Sequence, residues 1–148
     1  GSLIIFSGDD VSDVRQAVQV ALDTTKQTFG DVYNTTAGHL ELQYTARASQ
    51  ACRKAFGAPE GKAYGLISGS PAAIGVIMAD TAVKAANVNV LSVASPNHGT
   101  SFSNEVITHI SGDSGAVRQS VIAAREIGKI LLKNLSNEEP TNEFPSYI

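Results

Sequence analysis

Apolar residues 3–6 (LIIF) form a short unbroken run closed by Ser7-Gly8-Asp9-Asp10. A run of this length is of strand type, and the Gly and Asp behind it favour a turn and then a helix cap. Val11, Val14, Val18, Ala21 and Leu22 then share one stripe at helical spacing, with Arg15, Gln16, Asp23 and Lys26 left for the other face. The pattern predicts a helix that stops near Phe29-Gly30. Residues 30–38 (GDVYNTTAG) carry neither period and read as a connector and a boundary between units. Beyond it, alternation at Leu40, Leu42 and Tyr44 predicts a half-buried strand over 39–44, and residues 46–56 continue as a helix stopped by Gly57 and Pro59.

Residues 63–69 (AYGLISG) read as the next strand. Ser70 is expected to cap a helix over 71–87 with Pro71 at its first position, where a missing N–H costs nothing. A strand over 88–94 leads into residues 95–104 (SPNHGTSFSN), a polar stretch of roughly ten residues where about two to five usually join neighbouring strands. Long loops on a rigid scaffold are where function tends to sit. A strand over 105–110 then enters a long amphipathic helix with Val117, Val121, Ala124, Ile127 and Leu131 on its core stripe. The order from residue 38 is β-α-β-α-β-β-α, an α/β arrangement. The tail over 135–148 is polar and acidic with two prolines, and is expected to be mobile unless Phe144 and Tyr147 dock.

Two parts of this pattern echo each other. Residues 6–18 (FSGDDVSDVRQAV) and 110–121 (ISGDSGAVRQSV) both place Ser-Gly-Asp between an apolar run and a helix that carries Val-Arg-Gln one turn in. A unit of about 100 residues is implied. The chain would then hold one complete domain over 38–134, preceded within 1–33 by the last strand and helix of another.

Composition narrows the function classes. Apolar residues make up 43% of the 148 and charged residues 17%, with no Trp. A net charge of -3 offers no footprint for a phosphate backbone, so nucleic acid is not an expected partner. No apolar run approaches the roughly 20 residues that span a bilayer and none resembles a signal segment, so no membrane partner is expected. The lone Cys52 fits a reducing cytoplasm and reads as a buried small residue. Dinucleotide, Walker, Cys-x-x-Cys and metalloprotease signatures are absent, and neither a cofactor nor a metal is expected.

Gly112-Asp113-Ser114-Gly115 has the letters that surround a serine-protease nucleophile, but it opens an amphipathic helix, so Asp113 and Ser114 read as helix caps. His39 and His98 have no carboxylate that the sequence places beside them, and His109 reads as a structural residue within a strand. His98 differs in sitting among Asn97, Thr100, Ser101 and Ser103, small polar groups able to hydrogen-bond a neutral polyol or to line a wet passage. A plain solvated loop fits these letters equally well.

Residues 79–88 (ADTAVKAANV), taken with GHLELQYTARAS, GTSFSNE, SGDSGAVRQ and the closing PSYI, resemble the bacterial microcompartment (BMC) shell proteins. The resemblance covers essentially the whole chain and is strongest to the tandem-domain shell proteins of propanediol-utilisation compartments, with ethanol-utilisation relatives next. It implies a ferredoxin-like α+β domain in circularly permuted order, a homotrimer that imitates a hexagonal tile, and a cytoplasmic shell built with other shell proteins around diol-metabolising enzymes. It implies no catalytic residue. Lys84 matches a lysine at the tile edge, where the letters alone suggest a solvated helix lysine. Ser95, Asn97, His98, Gly99, Thr100, Ser101, Phe102 and Ser103 match a pore loop, in a version longer and poorer in glycine than that of simple shell proteins. Small diols such as glycerol or 1,2-propanediol are the implied ligands. Two other classes remain open: a metabolite-sensing α/β trimer that uses residues 95–104, and a hydrolase that uses His98 with Ser101 or Ser114.

Overall fold

The structure, a computed structural model, describes residues 4–28, 30–95, 105–142 and 148, without the side chains of 26–28. The elements run α1 (Val11–Thr28), β1 (Asp31–Thr35), β2 (Gly38–Thr45), α2 (Gln50–Phe56), β3 (Ala63–Ser70), α3 (Ala72–Ala85), β4 (Asn89–Ala94), β5 (Val106–Gly112), α4 (Ser114–Ser136) and β6 (Thr141–Asn142). One antiparallel sheet in the order β4-β5-β3-β2-β1-β6 carries α3 and α4 side by side on one face. From β2 to α4 the observed order is the β-α-β-α-β-β-α read from the sequence.

The alternation in β2 is the reason this face is covered. Leu40, Leu42 and Tyr44 point to the helices and are buried, whereas His39, Glu41 and Gln43 lie on the opposite face. β3 contributes Ile67 and two glycines, Gly65 and Gly69, to the same layer. α4 closes the core with Val117, Val121, Ala124 and Leu132, none of which retains exposed surface. α2 sits on the other face over a smaller cluster of Ala48, Ala58 and Tyr64, with Cys52, Leu66 and Leu91 partly buried around it.

Several expectations change. Residues 4–6 are not a strand: among the described residues no strand pairs with them, and Ile5 is 80% exposed. Hydrophobicity reports a need for burial, but a strand also needs a neighbour for its N–H and C=O groups. Residues 30–38 are not a plain connector, since β1 forms a hairpin with β2 in the register Tyr33–Leu40. The helix expected over 46–56 begins only at Gln50, because the backbone of Ala48 is drawn aside to Lys62 (N···O 2.6 Å) and Ser49 is the cap. Ser70 does not cap α3. It is paired with His39 in the ladder, and Pro71 occupies the cap position with no side-chain bond.

The caps of the two echoed helices differ as well. Asp10 caps α1 by accepting from the backbone N–H of Ser12 (2.7 Å) and Asp13 (3.2 Å). Asp113 holds the cap position of α4 but makes no capping bond, because Lys62 draws its carboxylate away at 3.0 Å. Ser114 likewise turns outward, its Oγ 2.5 Å from the Tyr44 hydroxyl.

The tail is docked rather than mobile over its described part. β6 pairs with β1, the Glu138 carboxylate accepts from the backbone N–H (2.8 Å) and Oγ1 (3.0 Å) of Thr36, and Ile148 packs on the core. Phe144 and Tyr147 lie outside the described residues.

Beneath the hairpin, the fully buried Asp31 accepts from Arg125 Nη1 of α4 at 2.8 Å. An ion pair that loses one partner leaves a buried charge uncompensated, a cost of about 3–5 kcal/mol. Asp31→Ala is therefore expected to destabilise the protein by roughly 3 kcal/mol in chemical denaturation. A loss below about 1 kcal/mol would show that solvent reaches Arg125 once its partner is gone.

Candidate functional site

Lys84 lies in the last turn of α3 and is well exposed. Its Nζ donates to Oδ2 of Asp80, one turn earlier, at 2.5 Å. α3 is apolar on both faces: Ile74, Met78 and Ala82 turn into the core while Val76, Ile77 and Val83 remain exposed around the Asp80–Lys84 pair.

Of the loop residues singled out by sequence, Asn97, His98, Gly99, Thr100, Ser101, Phe102 and Ser103 lie outside the described residues. Ser95 is described and exposed. Its Oγ donates to the backbone carbonyl of Glu105 at 2.8 Å, so the ends of β4 and β5 are tied where that segment leaves and rejoins the sheet. The Glu105 carboxylate accepts from the buried Ser68 Oγ (3.2 Å) and lies 3.4 Å from His39 Nε2, which also has Glu41 Oε1 at 3.8 Å. A polar brace thus crosses the open sheet face from β4 to β2. Sequence reasoning left His39 without a carboxylate partner, although the period of two in β2 puts His39 and Glu41 on one face. The approach of Glu105 depends on strand order and had no local signal.

His109 is the structural residue it was read to be. Its Nδ1 lies 2.7 Å from the Tyr64 hydroxyl, and both rings stack under Phe56 at centroid distances of 5.0 and 5.3 Å. Burial holds the Tyr64 phenol above its ordinary range, so it keeps its proton, and its hydroxyl shares one hydrogen bond with Nδ1.

A cleft of about 900 Å3 separates the start of the chain and α1 from the open face of β2, with Phe6, Ala17 and Val20 on one wall and Glu41, Gln43 and Leu66 on the other. Among the described residues no group of three or more His, Cys, Asp or Glu side chains could hold a metal ion, and no helix is long and apolar enough to cross a membrane.

The BMC domain model matches residues 63–140, from β3 through α4 into the tail. The chain belongs to the BMC domain family. Over all 148 residues it is 64% identical to the bacterial microcompartment shell protein PduB of Salmonella typhimurium. It spans only 54% of that relative, about half its length. The crystal structure of a trimeric bacterial microcompartment shell protein PduB superposes with a TM-score of 0.87 at 60% identity, over 96% of this chain and 62% of that one. EtuB from Clostridium kluyveri gives the same TM-score at 47% identity, over 95% and 62%. The BMC domain assignment is in accord with the place of Ser114, whose hydroxyl meets Tyr44 rather than an activating histidine.

Within this BMC domain the half-buried His109 supplies a pH dependence. Burial lowers its pKa from the ordinary 6.5, so the unfolded chain binds a proton that the native state resists. This contribution to stability is intact above about pH 6.5, declines as the pH falls toward the folded-state value, and then levels off. Denaturation midpoints of the protein and of His109→Gln, measured at intervals from about pH 8 to 5, are expected to show a shallower acid decline in the variant. Parallel declines would assign the effect to other groups.

Proposed function

We propose that this chain is the larger part of a tandem-domain shell protein that forms trimeric, hexagon-like tiles in the wall of a bacterial microcompartment. The observation that carries this reading is the 64% identity over every residue of the chain to a microcompartment shell protein, in a fold that superposes on a trimeric one. The role is structural, with binding free energy invested in subunit and tile contacts rather than in a reaction. The shell would lie in the cytoplasm, with other shell proteins as partners and diol-metabolising enzymes enclosed.

The echo between the two ends supports two domains. Val117 and Val121 of α4 are fully buried, whereas Val18 of α1, on the matching stripe, is exposed, and Val11 is 78% exposed. An amphipathic helix without a core against its apolar stripe is half of a packing arrangement. Residues 1–33 therefore read as the closing strand and helix of a preceding BMC domain, 38–134 as a complete second domain, and 135–148 as a tail. In that longer protein residues 4–6 would gain the neighbouring strand they lack here. The permuted order has support in the family match, which starts at β3 and leaves its sheet neighbour β2 ahead of the matched span.

Small neutral polyols such as glycerol or 1,2-propanediol are the ligands this reading favours, held or passed by Ser95, Asn97, His98, Thr100, Ser101 and Ser103 with Gly99 and Phe102 between them. Calorimetric titration with glycerol is expected to show weak binding that His98→Ala and Ser101→Ala both reduce. Unchanged binding in both variants would remove residues 95–103 from the site.

Lys84 is assigned to the tile edge. Lys84→Ala is expected to leave a folded trimer of unchanged size while impairing the flat sheets seen by electron microscopy. Intact sheets would withdraw the edge assignment, and soluble trimers that bind a metabolite tightly without ever forming sheets would favour a sensor.

A further inference from the structure

Set in step at their shared Val-Arg-Gln, α1 and α4 agree along the stripe that faces the core in α4: Val14 stands for Val117, Val18 for Val121 and Ala21 for Ala124. They part company at two positions close by. Leu22 stands where α4 has Arg125, and Thr25 where it has Gly128. In α4 both residues are matched to what lies beneath them. Arg125 Nη1 meets the fully buried Asp31 at 2.8 Å. A Cβ added at Gly128 would lie 2.8 Å from Met78 Sδ and 3.0 Å from Leu40 Cδ1, two side chains without exposed surface. α1 has a different fit. Leu22 is 54% exposed, and the Thr25 hydroxyl donates to the Ala21 carbonyl at 2.7 Å, which leaves its methyl group for a neighbour. No described element packs extensively on α1.

We propose that α1 is keyed to the part of a longer protein that precedes residue 1, a surface that presents an apolar side chain to Leu22 and, in the place Met78 holds opposite Gly128, a residue smaller than methionine to Thr25. The two differences then act as a pairing code between closing helices and domains. Seated on the second domain, of its own chain or of another copy, α1 would leave the Asp31 carboxylate buried without a counter-charge and drive a threonine into Met78 and Leu40. Seated on the preceding domain, α4 would bury a guanidinium against hydrocarbon. Homologous units in one chain are prone to exchange such elements, and rejection of the wrong partner contributes to specificity as much as a good fit with the right one. The length outside this chain is sufficient for such a partner, since the chain spans only 54% of its Salmonella typhimurium relative. This inference rests on the two-domain reading above and adds the chemistry of the surface that covers α1.

The same substitutions compared in two contexts test it. In the 148-residue chain Leu22→Ala and Leu22→Arg, at an exposed position, are each expected to move the melting temperature by less than about 2 °C. In the longer protein both are expected to lower it by about 5 °C or more, Arg more than Ala. If neither moves the longer protein, α1 is uncovered there, and the two-domain reading and this inference fall together. If Leu22→Ala destabilises the longer protein while Leu22→Arg stabilises it, the facing group is a carboxylate; the two-domain reading then stands and the inference falls. The second domain is tested in the 148-residue chain itself. Gly128→Thr is expected to lower its melting temperature by about 4 °C or more, and Gly128→Thr with Met78→Ala to cost less than the two single changes added together. Where the single variant does not fold, recovery of folding in the double variant reads the same coupling. A harmless Gly128→Thr, or costs that simply add, would overturn the pairing code.

Discussion

A Cβ added at Gly65 would lie 2.9 Å from side-chain carbons of both Ile110 and Val121, and one added at Gly75 would lie 2.7 Å from the carbonyl oxygen of Gly69. α3 and α4 therefore approach β3 to a distance at which a single methyl group does not fit. This closeness lets Ala, Val and a few Leu residues fill the core without Trp, and it packs the two helices against each other over one stretch of sheet. What each helix shows to the outside follows from it. Once Ile74, Met78 and Ala82 are pressed onto β3 and α4, the turn of the helix leaves Val76, Ile77, Asp80, Val83 and Lys84 no choice but to face away. The position of β4 follows too, since it lies beyond the reach of both helices and keeps Val90 and Val93 exposed.

The parts of this fold that were legible in the sequence are those decided within a window of a few residues. β2 announced itself by alternation and α4 by its stripe, because each element is buried on one face along its whole length. β1 did not. Its Asp31 looks like a turn residue and is buried because Arg125, 94 residues away, supplies the opposite charge. The tail looked free because the partner of Glu138 is Thr36, 102 residues earlier. Residues 4–6 erred the other way, since three apolar letters state a demand for burial without saying whether a neighbouring strand will meet it. Of the candidate site, Lys84 was legible only through the resemblance, while the contact of His39 with Glu105 is a product of strand order, which no local pattern encodes.

The two Ser-Gly-Asp corners show how one local signal is used in two ways. At α1 the Asp10 carboxylate stays local, binding the free N–H groups of the first turn and the Ser12 hydroxyl. At α4 the corner lies beside β2 and the turn before β3, and both polar groups of the corner are recruited elsewhere: Asp113 to Lys62 and Ser114 to Tyr44. The start of α4 is thus fastened by long-range contacts where α1 relies on a local one. A helix secured by its core stripe can give up a cap, whose loss costs about 1 kcal/mol, far less than four fully buried apolar side chains contribute.

The six strands end unequally. On one side β6 covers part of β1 with two paired residues and the core takes in Ile148, while on the other β4 presents, among the described residues, a six-residue edge. An unpaired edge is a template for another chain, and a short added strand is one way of blunting it. The sheet therefore has a direction that its antiparallel pairing alone would not give it. Hydrogen-bonded continuation from one molecule into the next has a six-residue opening at β4 and a partly blocked one at β1, and a contact between unlike edges propagates around a ring or along a line instead of ending in a pair.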